Sequence, residues 1–272
     1  MSNPLLEVAN NHNALPKFAA IKPTHIEPAI EQVINDAKST VDKVLDTKQF
    51  TWQGFVEPLQ RADERIQKVW APVSHLNSVM SEPELRNAHD ACLALLSEYA
   101  TYVGQHQGLF AGYQALANGD EYSTLNRSQQ KLINDTLRDF KLSGVDLPEN
   151  EKKRYAEITS RLSELSSQFS NNLLDATHAW HYHITDETQL SGLPDSAIEA
   201  AKEAAQEAEK EGWLFTLDIP SYLPVMLYAD NVEFRKAMYQ AFVTRASDVG
   251  PNAGEYDNSD VMNETLALRH EL

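Results

Sequence analysis

The sequence has few cysteines and few cationic side chains. Its 272 residues include one cysteine, Cys92, so the chain cannot form an internal disulfide and a reducing compartment is the expected setting. Lys and Arg number 23 against 40 Asp and Glu, which gives a formal net charge of −17 at pH 7. That charge disfavours nucleic acid and anionic membrane surfaces as partners, because both attract exposed cations.

A long apolar run is also absent. The longest run, L-P-V-M-L-Y-A, ends at Ala229 and is far shorter than the ~20 residues of a membrane-spanning helix. The N-terminus has no positively charged segment followed by an apolar one, so we expect no secretory signal and a cytoplasmic protein. With 42% hydrophobic and 23% charged residues, the composition is typical of a folded globular protein.

Apolar residues recur at steps of three and four through most of the chain, which predicts amphipathic helices. The first begins near Thr24, a candidate N-cap with Glu27 at capping-box spacing, and a later one begins at Ser81. Pro58 and Pro72 are expected to kink or interrupt the helix that contains them. The helices are predicted over 24–45, 52–79, 81–103, 109–116, 128–142, 149–176, 194–211, 222–229, 232–244 and from 257 onward.

The period changes to two between residues 180 and 185, which predicts a strand. Trp180, Tyr182 and Ile184 would occupy its buried face. A second strand is predicted in G-W-L-F-T-L-D-I-P, and the two could pair antiparallel across the intervening helix. The predicted fold is therefore mainly α, with a small two-stranded antiparallel β element near 180–185 and 213–218.

The same patterns predict two regions. Residues 1–177 would form an N-terminal helical domain that opens with an extended arm over residues 1–22. Residues 178–272 would contain the β element and further helices. The last helical pattern reaches Leu272 without a Gly, Asn or Pro to end it, so we expect this chain to be a truncated part of a longer polypeptide.

His178, His181 and His183 lie within six positions and are a candidate metal site, because imidazole is the commonest zinc ligand. His181 and His183 share one face of the predicted strand, whereas the position of His178 depends on how the preceding helix ends. The competing interpretation is that these histidines are the polar face of an amphipathic strand. We favour that interpretation and predict no metal there.

Other short motifs are incomplete. R-H-E-L at 269–272 begins the zinc-binding pattern H-E-x-x-H, but the sequence contains no full copy of it. The loop Arg245–Gly254 lacks the G-x-x-x-x-G-K-[ST] spacing of a phosphate-binding loop, and no G-x-S-x-G motif is present. Cys92 lies in A-C-L-A-L-L with nothing basic beside it, which predicts a buried structural thiol. We therefore predict no catalytic, cofactor-binding or metal-binding residue in this chain.

Six segments carry a resemblance to a known family. They are P-V-S-H-L-N-S-V at 72–79, L-L-S-E-Y-A-T-Y-V-G-Q-H at 95–106, L-R-D-F-K-L-S-G at 137–144, R-L-S-E-L-S-S-Q-F-S-N-N-L-L-D-A-T at 161–177, L-D-I-P-S-Y-L-P-V-M at 217–226 and T-R-A-S-D-V-G-P-N-A-G at 244–254. Together they resemble the N-terminal part of the thimet-oligopeptidase-like M3 zinc metallopeptidases. The resemblance runs in order over nearly the whole chain and departs from the family at 178–183.

The resemblance implies a largely helical, two-lobed peptidase with a deep channel in which short peptides are cut. In that family a zinc ion is held by H-E-x-x-H and a downstream Glu in the C-terminal half. The resemblance thus implies that this chain is a channel-wall region, inactive alone, whose partners are short peptides and the C-terminal catalytic lobe. Two alternatives stay open: an independent helical interaction module, and a small metal-binding protein that uses His178, His181 and His183.

Overall fold

A computed structural model describes residues 3–9, 14–80 and 82–272, and in them the chain is mainly helical with one two-stranded antiparallel sheet, as predicted. The helices are α1 (Pro4–Ala9), α2 (Ile26–Thr47), α3 (Glu57–Val79), α4 (Pro83–Gly104), α5 (Gln107–Ala117), α6 (Arg127–Leu142), α7 (Glu149–Ala179), α8 (Asp195–Glu207), α9 (Ile219–Tyr228), α10 (Val232–Val243) and α11 (Ser259–Glu271). The strands are β1 (His181–Ile184) and β2 (Trp213–Thr216). None of the helices in these residues has the length and apolarity needed to cross a membrane.

The chain divides into two compact units. Unit 1 comprises residues 1–164 together with Leu272, and unit 2 comprises residues 165–271. The long helix α7 supplies residues to both. Each unit has its own apolar core, and the two are described separately below.

Unit 1 is built on α2, whose apolar residues follow the 3.6-residue period closely. The buried side chains of α2 are Ile26, Ala29, Ile30, Val33, Ile34, Ala37, Val41 and Val44. The buried residues in the first part of α2 pack with α1, α3 and α4 in one core cluster. The buried residues at the end of α2 pack with α5 and α6 in a second cluster centred on Phe55 and Tyr113. The rings of these two residues meet edge to face, with their centroids 5.0 Å apart. This periodicity explains why the sequence predicted the helix well.

The first 22 residues do not form one extended arm, so that prediction was wrong in part. Pro4–Ala9 form the helix α1, which packs on α3 and buries Leu5, Val8 and Ala9. The side chain of Asn3 accepts a hydrogen bond from the N–H of Leu5 at 3.0 Å. A six-residue helix is too short to be stable alone, so packing on α3 stabilises it, and a local sequence pattern could not reveal that.

Helices α2 and α3 of unit 1 differ from the prediction in their first turns and at a proline. Thr24 lies in a 3₁₀ turn, Pro23–His25, and α2 begins after it. Trp52–Val56 form a π-helical turn, and Pro58 lies in the first turn of α3, where its missing N–H disrupts nothing. Pro72 lies inside α3, which continues to Val79. Ser81, the predicted cap of α4, is outside the described residues.

Unit 2 is built around the antiparallel pair β1–β2. Tyr182 lies opposite Phe215, and Ile184 lies opposite Trp213. The helix α8 connects the two strands, and Ile184, Phe215, Val225, Phe234 and Met238 form the centre of the core. Phe234 contacts the rings of Tyr182 and Phe215, each at 4.9 Å between centroids. The predicted buried face of β1 is therefore confirmed.

Candidate functional site

The three histidines do not form a shared site. His178 lies exposed in the last turn of α7, whereas His181 and His183 lie exposed on β1. The ammonium group of Lys210 donates to Nε2 of His181 at 2.9 Å, and Nε2 of His183 lies 2.6 Å from the carbonyl oxygen of Glu211. The first contact requires an unprotonated Nε2 and the second a protonated one, so neither nitrogen is free for a metal.

Across the part of the chain that the structure describes, no group of three His, Cys, Asp or Glu side chains could hold a metal ion. The contacts of His181 and His183 instead join β1 to the turn that follows α8. At the other end of the chain, His270 is exposed in the last turn of α11. These positions match the polar-face interpretation of the strand histidines.

Cys92 is fully buried in the first core cluster of unit 1. Burial raises the pKa of its thiol to about 12, and the negative charges of Glu27 and Glu31 contribute to that rise. The reactive form of cysteine is the thiolate. Cys92 is therefore a structural residue, as its apolar sequence context predicted.

A groove of about 580 Å³ lies between α3, α4 and α7 in unit 1. Asp63 lies in it, and the hydroxyl of Tyr99 donates to its carboxylate at 3.1 Å. Asp63 is open to solvent on one side, but the surrounding groups exclude enough water to raise the pKa of its carboxyl, while the Tyr99 hydrogen bond lowers it. Burial, and then the charge of Asp63, raise the pKa of Tyr99.

A second groove, of about 650 Å³, lies between α4 and α7 and is lined by hydroxyl and charged groups. Arg161 and Glu164 on its edge form an ion pair at 2.9 Å. No histidine or cysteine lines either groove. Their polar groups can donate and accept hydrogen bonds, but they do not include the thiol or imidazole of a nucleophilic centre.

The loop that follows α10 is more ordered than a simple linker. The guanidinium of Arg245 lies 3.7 Å from the centre of the Phe242 ring. It donates to the carbonyl oxygen of Phe242 at 2.9 Å and to the hydroxyl of Thr177 at 3.1 Å. Desolvation lowers the pKa of Arg245, yet arginine stays charged at neutral pH. The sequence analysis of this loop excluded only a phosphate-binding motif and did not predict these contacts.

The buried side chain of Asn258 holds the far end of this loop. Its amide donates to the carbonyl oxygen of Phe169 at 3.1 Å, and its oxygen accepts from the side chain of Asn172 at 2.9 Å. Its backbone N–H donates to the carbonyl oxygen of Ala246 at 3.0 Å. Such a satisfied buried amide fixes the loop in one conformation.

Helix α9 is the feature whose significance the sequence prediction missed. Its ten residues, I-P-S-Y-L-P-V-M-L-Y, include no charged side chain. Ile219, Leu223 and Leu227 are nevertheless exposed. The longest apolar run of the sequence overlaps α9 and could have indicated this apolar helix. We interpreted that run only as too short for a membrane-spanning helix.

Comparison with known proteins finds similarity along the whole chain. Residues 30–153 match the family model of the N-terminal domain of neurolysin and thimet oligopeptidase. The chain is 52% identical over all 272 residues to oligopeptidase A of Haemophilus influenzae, of which it covers 39%. It is 52% identical over 273 residues to oligopeptidase A of Escherichia coli, of which it covers 40%.

A more distant relative is the organellar oligopeptidase A of Arabidopsis thaliana, which is 31% identical over 277 residues. That match covers 99% of this chain and 34% of the plant protein. The chain thus spans about two fifths or less of the length of these curated relatives. The N-terminal-domain match and the 52% identity along the whole chain show that it is similar to the N-terminal region of M3 oligopeptidases.

Proposed function

We propose that this chain is the N-terminal, channel-wall region of a zinc-dependent oligopeptidase that hydrolyses short peptides in the cytoplasm. The observation that carries the proposal is the 52% identity along the entire chain to proteins named oligopeptidase A. The sequence contains no complete H-E-x-x-H, so the catalytic residues are assigned to the region of those relatives that this chain does not cover.

A zinc ion in such an enzyme lowers the pKa of a bound water and polarises the peptide carbonyl. Among the described residues, the histidines of β1 do not fit that ion, because Nε2 of His181 and Nε2 of His183 are engaged by Lys210 and Glu211. No chemical step is therefore assigned to them. The contribution of this chain is a packed helical wall, which would limit the size of the peptides admitted.

A chimera tests the proposal. The chain replaces the matched portion of the Haemophilus influenzae oligopeptidase A, and hydrolysis of a short quenched fluorescent peptide is measured. We expect the chain alone to be inactive and the chimera to cleave the peptide, with activity abolished by a chelator and restored by zinc. The control is the same relative without the matched portion, which we expect to be inactive.

Two results would overturn the proposal. A folded chimera without peptidase activity would show that this chain cannot serve as an oligopeptidase region. Chelator-sensitive cleavage by the chain alone would show that it carries its own metal centre. In that case a His181→Ala variant would decide whether the histidines of β1 are responsible.

A further inference from the structure

Helix α9 lies on unit 2 with one side in the core and the other exposed. Val225 is fully buried, whereas Ile219, Leu223 and Leu227 are 55%, 46% and 62% exposed. These three residues are four apart, so they form one continuous row along the helix, which we call the α9 stripe. A solvent-facing helix usually carries charges on its outer side, but α9 carries none.

Hydrogen bonds beside both ends of α9 hold it in place, so the stripe is not a loosely attached segment. Near its start, the hydroxyl of Ser221 accepts from the N–H of Thr216 at 2.9 Å. Just after its end, the N–H of Asp230 donates to the carbonyl oxygen of Ser191 at 2.8 Å, and the hydroxyl of Ser191 donates to the Asp230 carboxylate at 2.7 Å. The stripe is therefore presented in a fixed geometry.

The neighbouring elements of unit 2 also expose apolar side chains. Helix α10, which packs on α9, exposes Val232, Tyr239 and Val243. Helix α11 exposes Met262 and Leu266, and of its 13 residues only Val261 is buried. A helix of that length is marginal in water without a packing partner, so we expect α11 also to be stabilised by packing against further polypeptide.

We infer that the α9 stripe is the docking surface for the C-terminal region of an M3 oligopeptidase polypeptide. This inference rests on the function proposed above. Polypeptide length points to this occupant, because the chain covers 39% of the Haemophilus influenzae relative and most of that polypeptide lies outside the matched part.

The chemistry of the stripe supports the same occupant. Permanent interfaces are more apolar than transient ones and resemble a divided protein core. The stripe is apolar, uncharged and fixed, as a permanent interface requires. A peptide substrate fits less well, because small-ligand sites are concave and the stripe lies on the convex side of a helix.

The test compares two double variants of unit 2 that add the same charge. Leu223→Glu with Leu227→Glu changes the stripe. Ala200→Glu with Gln206→Glu changes two exposed positions of α8 and is the matched control. Each pair is introduced into the isolated chain and into the chimera with the Haemophilus influenzae protein.

In the isolated chain we expect both double variants to keep the helical content and unfolding midpoint of the unmodified chain, because all four positions are exposed. In the chimera we expect the stripe variant to lower the midpoint by more than about 5 °C and peptide hydrolysis by at least about tenfold, because it buries unpaired carboxylates. The α8 variant should leave both quantities close to those of the unmodified chimera.

Two outcomes would overturn the inference. The first is a stripe-variant chimera with the same midpoint as the α8 control. The second is an isolated chain that is dimeric and that the stripe variant makes monomeric, since the occupant would then be a second copy. A folded but inactive chimera would count against the proposed function alone, because the midpoints of the two variants would still report on docking.

Discussion

The two units differ in how completely they cover their apolar side chains. Among the described residues of unit 1, few large apolar side chains are exposed: Leu15, Phe18, Val79, Met80, Leu142 and Leu272. Unit 2 is smaller but exposes eleven: Phe169, Ile219, Leu223, Leu227, Tyr228, Val232, Tyr239, Val243, Val249, Met262 and Leu266. Unit 2 therefore has a buried apolar core but leaves many large apolar side chains on its surface exposed to solvent.

One helix from each unit shows the physical origin of the difference. Helix α2 of unit 1 concentrates its apolar residues on one side, and its acidic and basic residues occupy the other. Helix α9 of unit 2 is apolar on both sides. A helix that is apolar all round is normally buried. Helix α2 therefore suits a position with one side in the core and one side in water, whereas α9 presents apolar side chains to solvent.

The largest effects test whether each unit has an independent core. Phe55 in unit 1 and Phe234 in unit 2 are fully buried. We expect Phe55→Ala and Phe234→Ala each to lower the free energy of unfolding by about 3–5 kcal/mol. If the two cores are independent, each variant will shift only the transition of its own unit in urea unfolding followed by circular dichroism.

The control for this pair is Tyr239→Ala, which truncates an exposed aromatic residue of unit 2. We expect a change within about 0.5 kcal/mol, as for most exposed positions. A loss comparable with that of Phe234→Ala would mean that Tyr239 is already covered in the isolated chain, and the contrast between the units would fail.

The next largest effect concerns how well the core of unit 1 excludes solvent. The pKa of Cys92 is raised from 9.0 to about 12, so at pH 8 the thiolate fraction is about a thousandfold below that of an unperturbed thiol. We expect almost no reaction with a disulfide reagent in the native chain and one rapid equivalent in denaturant. Fast labelling of the native chain at pH 8 would show that this core opens readily.

A smaller effect tests whether unit 2 is tightly packed despite its exposed surface. Gly212 has φ +88°, and a Cβ there would lie 2.2 Å from the carbonyl oxygen of Ile184. Gly254 has φ +84°, and a Cβ there would meet no atom within 4 Å. We expect Gly254→Ala to cost about 1 kcal/mol, from backbone conformation alone, and Gly212→Ala to cost at least about 1 kcal/mol more.

Equal losses for the two glycine variants in urea unfolding would contradict tight packing at the β1–β2 pair. They would mean that the strand pair shifts to admit the methyl group. The exposed apolar surface of unit 2 would then reflect loose packing of the whole unit, and the case for a covered surface would weaken.

Sequence periodicity predicted the regular parts of this fold. The 3.6-residue pattern gave α2 and α7, and the change to a period of two at Trp180 gave β1 and its buried face. It failed for α1, because six residues carry too little pattern and packing on α3 supplies the stability. The π-helical turn Trp52–Val56 also had no periodic signature.

The candidate surface was harder to predict than the fold. Periodicity shows that α9 is apolar, but it cannot say whether the same unit or another region of polypeptide covers the helix. The charged residues of each helix are the criterion that was missing. Helix α8 follows β1 and carries charged side chains, whereas α9 follows β2 and carries none. That no catalytic residue lies in this chain stays a prediction.

The smallest effect concerns Asp63, in the groove between α3, α4 and α7 of unit 1. Burial holds the pKa of Asp63 above its ordinary value of 3.8 in the folded chain. The folded state therefore binds this proton more tightly than the unfolded state, and stability falls as pH rises from 3.8 through the raised pKa. We expect Asp63→Asn to be slightly more stable than the unmodified chain at pH 7, and this difference to disappear at about pH 3.

Tyr99→Phe makes this test stricter, because it removes the hydroxyl that donates to Asp63. The hydrogen bond favours the carboxylate, so without it the pKa of Asp63 should rise further and the loss of stability toward pH 7 should become larger. Urea midpoints from about pH 3 to 7 measure both variants. If Asp63→Asn is instead less stable than the unmodified chain at pH 7, the ionised carboxylate of Asp63 stabilises unit 1, which contradicts the prediction.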